Sequence, residues 1–256
     1  MKGLKLLVFA ACLLALVSLP TFGQATIPAG TILPVTLTSG ISAHARPGNA
    51  IEAKIMQDVP LPGGAWIRAG SRVFGTVVTV VQAKNGSGPE LTLQFNKLVL
   101  RNGKTVPVTT SLRALASYVE VEAAQIPDTG SDRATPEEDR TTVLIGGDVD
   151  YRGGGPVMEG ATAVGRPTAN GVLSEVSAKP GSPCEGETGT ALGLQALWVF
   201  SADACGVYGM PHIAIQHMGR SSNGQFVLTG DAGQSVKIAK GTGMLLTVLT
   251  SGQANA

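Results

Sequence analysis

The sequence predicts a mainly β protein, barrel-like or sandwich in architecture, with a Gly/Pro-rich central insertion and a disulfide-bridged C-terminal β module. Three observations predict it. The chain of 256 residues carries 34 Gly and 15 Pro, which suits many short strands and tight turns and argues against a helical bundle. Apolar and polar residues alternate over short runs in both the N- and C-terminal thirds, the period of half-buried strands. Asn-Gly, Ala-Gly and Lys-Gly steps punctuate those runs, as turns require. A hydrophobic content of 43% excludes a wholly disordered chain. With 19 basic and 18 acidic side chains, the net charge gives no electrostatic case for nucleic acid or an anionic membrane surface as partner.

Residues 1–25 read as a signal peptide. Lys2 and Lys5 precede an apolar stretch to Leu19, Pro20 breaks it, and Gly23 and Ala25 offer small residues for cleavage after either. The apolar stretch is shorter than the ~20 residues of a spanning helix, and no later segment is long enough to span as one. Cleavage would remove Cys12 and leave Cys184 and Cys205. An even count in an exported chain reads as one disulfide, and the pair lacks the Cys-x-x-Cys spacing of a reactive dithiol.

Residues 26–118 form the expected β-barrel-like region. Ile32, Val35 and Leu37 begin a strand, and Ile51, Ala53 and Ile55 alternate with Glu52 and Lys54, so one face is wet. The nearly unbroken apolar run 73–81 is expected to be buried on both faces. Leu91, Leu93 and Phe95 alternate with polar residues, and Asn102-Gly103 marks a hairpin before Val106 and Val108. Residues 111–117 suggest one or two helical turns.

Residues 119–180 are the expected linker and Gly-rich irregular region. Pro127, Asp128, Gly130, Pro136, Glu137, Glu138 and Asp139 crowd one solvated stretch. Farther on, irregular structure or weak edge strands are expected, Val172-Leu173 being one short apolar run. Strand patterning returns in the C-terminal β module, residues 181–256. Trp198, Phe200 and Tyr208 there suggest a small core, to which the disulfide would tie the Gly-rich arm.

One device recurs. Ile27-Pro28-Ala29-Gly30-Thr31 precedes an apolar run, as do Ile67-Arg68-Ala69-Gly70-Ser71 and Ile238-Ala239-Lys240-Gly241-Thr242. Each reads as a strand, a turn needing positive φ at Gly30, Gly70 or Gly241, and a second strand. The spacing is too irregular for a solenoid. The first and last copies are placed to pair and close the sheet, which would remove exposed edges.

These residues, with the Asn102-Gly103-Lys104 hairpin, resemble the β-barrel subunit of bacterial conjugation and type IV secretion channels. The resemblance covers residues 27–117 and extends to 236–249; residues 181–235 lie outside it. It implies a distorted β-barrel in the periplasm, at the outer membrane, with a role in assembly rather than catalysis.

Motifs that carry chemistry are sparse. Gly103-Lys104-Thr105 mimics the end of a phosphate loop, but Leu98 stands where the first Gly is needed and the segment is a hairpin. No catalytic site, cofactor or metal site is therefore assigned. His212 and His217 are five apart, on opposite faces of a strand, and His44 lies in a polar loop. Asp203 reads as a turn residue. Trp66 and Trp198 read as core or rim residues rather than a sugar platform.

The resulting expectation is an exported, non-catalytic cell-envelope protein, periplasmic or secreted, acting as a structural or binding module on a protein or other envelope component. It has no transmembrane helix after cleavage and leaves room for a homo-oligomer. Two alternatives stand beside it. One is a subunit of a conjugation or type IV secretion channel. The other is a calcium-dependent hydrolase or sugar-binding enzyme centred on Asp148 and Asp150, whose carboxylates flank Val149 beside a Gly-rich loop.

Overall fold

A computed structural model describes residues 26–41, 44–84, 86–125, 128–129, 140–147, 150–152, 155–184, 192–216 and 223–253. The expected signal peptide with Cys12, and also Asp148 and His217, lie outside them.

Along the chain run β1 (Thr26–Ile27), β2 (Ile32–Leu37), β3 (Ala50–Ile55), β4 (Val59–Pro60), β5 (Trp66–Ile67), β6 (Arg72–Val81), β7 (Glu90–Val99), β8 (Thr105–Pro107) and β9 (Thr109–Ala116), then helix α1 (Tyr118–Gln125). After it come β10 (Asp128–Thr129), β11 (Arg140–Val143), β12 (Asp150–Arg152), β13 (Val157–Glu159), β14 (Thr162–Thr168), β15 (Gly171–Ser174) and β16 (Gln195–Trp198). The last are β17 (Gly206–Tyr208), β18 (Ile213–Gln216), β19 (Gln225–Gly230), β20 (Gly243–Thr250) and β21 (Gly252–Gln253). The protein is mainly β, as expected.

The main sheet runs in the order β17-β9-β20-β2-β3-β6-β7-β19-β18, with β8 also paired to β7. Only the β17–β9 pair in it is parallel. Strands from both ends of the chain therefore share one sheet, and β2 lies directly against β20, with Ile32 opposite Thr247 and Val35 opposite Met244. The sheet curls without closing into a barrel by a continuous ladder. Val108 is the seam: β8 before it pairs with β7 and β9 after it pairs with β20. Isolated bonds span the gap, from Val108 N–H to the Asn96 carbonyl (3.1 Å) and from the Thr110 hydroxyl to the Phe95 carbonyl (3.1 Å).

Inward-pointing Val35, Ile51, Ala53, Ile55, Val73, Val77, Leu93, Phe95, Leu112 and Leu246 form the main core. A second core lies outside this wall. There β13–β16 form a four-stranded sheet, and Val172, Trp198 and Phe200, with Val121 of α1, pack on the outward residues Ile32, Ala114, Ala116 and Leu245. The two layers make the architecture sandwich-like. The outer faces of β2, β9 and β20 are thus covered, while no layer of the described residues covers those of β3, β6 and β7.

That difference corrects one expectation. Residues 73–81 were expected to be buried on both faces, yet β6 alternates, with Val73 and Val77 buried, Phe74 half-buried and Val81 exposed. An apolar run does not reveal that its outer face lacks a covering layer. The helix also sits later than expected: residues 109–116 are strand and 118–125 are helix. Ser117 begins that helix by accepting the Glu120 N–H on its hydroxyl (3.3 Å), an N-cap. The Gly-rich stretch contains ordered strands, because Val172 and Leu173 reach the two cores.

The recurring turn is a repeated hydrogen-bonded corner. Gly30 (φ +87°) donates its N–H to the Val248 carbonyl (2.7 Å), and Val248 N–H returns to the Thr31 carbonyl (2.9 Å). Gly241 (φ +85°) does the same with Leu37, which returns to Thr242. Gly70 (φ +88°) does so with Ile55, which returns to Ser71. A fourth copy, unseen in the sequence, is Arg46-Pro47-Gly48-Asn49: Gly48 (φ +87°) donates to Val77, which returns to Asn49. The corners precede β2, β20, β6 and β3 and hook onto β20, β2, β3 and β6. Two antiparallel strand pairs are each clasped reciprocally at both ends.

Candidate functional site

A cluster of buried polar groups lies beside the disulfide. Cys184 and Cys205 are bonded, with Cα atoms 5.9 Å apart, and the bridge ties the end of the Gly-rich arm to the segment leading into β17. Arg113, on β9, is 1% exposed. Its Nε donates to the Ala204 carbonyl (3.0 Å) and a terminal nitrogen donates to the Ser177 carbonyl. The guanidinium thus links β9, the arm and the bridged turn. A planar, multi-donor cation suits this role, since backbone carbonyls satisfy it in a dry site.

Beside it, Asp203 is buried, accepts from the Ser201 hydroxyl (2.7 Å) and pairs with Lys179 (3.0 Å). Asp203 is a turn residue, as expected, but a buried and paired one. The Tyr208 hydroxyl donates to the Cys205 carbonyl (3.0 Å) and accepts the Cys205 N–H (2.9 Å). Burial pushes the Tyr208 phenol above its ordinary range, against the Cys205 backbone bond that lowers it. These groups are all engaged in holding the bridged turn. Sequence reasoning missed Arg113, although a single cation inside the run 112–116 is the signal that marks it.

The other candidates do not gather. His212 pairs with Asp231 at the surface (3.0 Å). Asp150 falls in β12, and its carboxylate is outside the described side chains. Trp66 is 41% exposed, at the rim, while Trp198 is buried in the second core with φ +55°. Gln57 holds Trp198 in that conformation. Its Oε1 accepts the Trp198 N–H (2.6 Å), and its Nε2 donates to the Val172 carbonyl (2.8 Å). Gly103-Lys104 forms the β7–β8 turn, with Gly103 at φ +84°. Among the described residues no group of three or more His, Cys, Asp or Glu is placed to hold a metal ion, and no helix is long and apolar enough to cross a membrane.

One feature is open to partners. β18 ends the main sheet and, among the described residues, pairs with β19 only. The His212 carbonyl accepts from Asp231 N–H. Antiparallel alternation then turns the main-chain groups of Ala214 and Gln216 toward β19 and those of Ile215 toward the open side.

No family model matches the chain, and no curated protein matches it. Among solved structures, ComB10 of the Com type IV secretion system of Helicobacter pylori is similar over 88% of this chain and 88% of that chain, at 13% identity and a TM-score of 0.32. A TM-score of that size does not establish a shared fold.

Proposed function

We propose that this protein is exported to the cell envelope and serves there as a non-catalytic β scaffold that binds another envelope protein by strand addition. The observation that carries the reading is the edge of β18, which no described strand pairs on its far side. An extended partner segment adds to such an edge through main-chain hydrogen bonds. The Cys184–Cys205 bridge supports export, because disulfides persist in oxidising compartments, and so does the signal-like order of residues 1–25. The test is a photo-crosslinking residue at Gln216, which is exposed, in cells expressing the protein. One discrete adduct, absent when the probe stands at exposed Lys237 instead, supports strand addition. Equal labelling from both positions defeats it.

A second reading is a subunit of a conjugation or type IV secretion channel. The Gly-turn strands resembling that family's barrel subunit are the ones that pair, β2 with β20. It requires ring-shaped oligomers in envelope extracts, and a monomer at high concentration excludes it.

A further inference from the structure

The uncovered outer wall of β3, β6 and β7 carries an unbalanced set of cations around one aromatic ring. Lys54 stands directly opposite Arg72 in the β3–β6 ladder. Phe74 stands opposite Lys97 in the β6–β7 ladder. Arg72 and Lys97 both lie over the Phe74 ring, at 5.3 and 4.8 Å from its centroid. Arg101 and Lys104 continue the set at the adjoining β7–β8 turn. Glu52 lies 3.7 Å from Arg72; Asp58, close by, pairs with Arg68 and also feels the charge of Arg101, and Glu90 stands at the far end of β7. Among the described residues no acid pairs with Lys54, Lys97 or Lys104.

Two like charges directly opposite on neighbouring strands destabilise a sheet. Folding gains nothing from Lys54 beside Arg72, so the arrangement calls for something outside the fold. We infer that this wall docks an acidic, extended polypeptide segment of a protein partner. Arg72 and Lys97 meet over the Phe74 ring, while Lys54, Arg101 and Lys104 extend the cations across strands about 4.8 Å apart, a spread wider than one phosphate group spans. Phe74 is half-buried beneath two cations, so it is poorly placed to enter a bilayer. An extended chain presents side chains on one face every ~6.7 Å, which lets successive carboxylates meet successive cations.

This inference rests on the reading of the protein as a binding module, but it uses a surface separate from β18. It is tested with the purified full chain, a fluorescein-labelled polyglutamate peptide, and phosphatidylglycerol vesicles. The peptide should bind saturably and release with added salt. Reversing Lys54, Arg72 and Lys97 to Glu together should weaken binding at least tenfold, while Lys237→Glu leaves it unchanged. Lys54→Gln plus Lys97→Gln, milder changes on a wet face, should weaken it severalfold with the melting temperature retained. Ile215→Pro, which removes an N–H facing the open side of β18, should leave peptide binding intact, which separates failure of this wall from failure of the edge. Binding to vesicles but not to peptide, binding to neither, or peptide binding unaffected by the Gln pair overturns the inference.

Discussion

Gly30 and Val248, 218 residues apart in the chain, are joined at 2.7 Å from the glycine N–H to the valine carbonyl. The same valine returns its own N–H to Thr31. This closed exchange fixes the register of β2 on β20, and the Gly241–Leu37 exchange fixes the other end of the same pair. A one-residue slip would break both and turn the strand's apolar face outward.

The corner glycines differ in what a side chain would meet, so their substitutions should differ in cost. At Gly48 an added Cβ meets nothing within 4 Å, whereas at Gly30 it comes within 3.0 Å of Leu192 and at Gly241 within 3.3 Å of Tyr118. Gly48→Ala should cost about 1–2 kcal/mol, from positive φ alone. Gly48→Asn should cost less, since Asn tolerates that conformation. Gly30→Ala and Gly241→Ala should cost more than Gly48→Ala. Urea denaturation of the set measures the ranking.

Arg113→Met should destabilise by about 3 kcal/mol, because the Ala204 and Ser177 carbonyls lose charged donors inside a dry site. Arg113→Lys should recover only part of it, since one ammonium cannot reproduce the guanidinium fork. Chemical denaturation at neutral pH reads both.

Reduction of the Cys184–Cys205 bridge, which spans 21 residues, should cost on the order of 3 kcal/mol by chain entropy. Denaturation with and without reductant measures this. Limited proteolysis should then cut first in the arm preceding Cys184, whose tether to the β17 segment has been released.

The Ala69 N–H, 2.7 Å from Asp58, holds that carboxyl below its ordinary range, opposed by partial burial and aided by Arg68. A depressed carboxylate contributes stability above its unfolded pKa, and the contribution fades as pH falls through the folded one. Asp58→Asn should therefore be less stable than the parent near neutrality. The difference should begin to shrink below about pH 4, where the unfolded chain's carboxylate protonates, and fade as pH falls further through the depressed folded value. Denaturation across that range checks the sign, and the size should be small because the pair is exposed.

The candidate site was legible in the sequence only in part. The bridge partners could be named because, with residues 1–25 read as a signal peptide, counting cysteines leaves one pair. Arg113 and Asp203 could not be read as a cluster, since their proximity comes from the chain folding Ala204 back onto β9. The basic wall was hidden for the same reason. Lys54, Arg72 and Lys97 look like ordinary scattered charges until two ladders set them side by side.

By itself the sequence determined the β character of this protein, the three Ile-x-x-Gly corners and the pairing of its cysteines, because alternation, turn chemistry and residue count are local properties. Tertiary structure alone decided which strand faces were covered, where the sheet seam fell, and that Arg46-Pro47-Gly48-Asn49 was a fourth corner. Those depend on which distant segment arrives as a neighbour, and no local pattern encodes that.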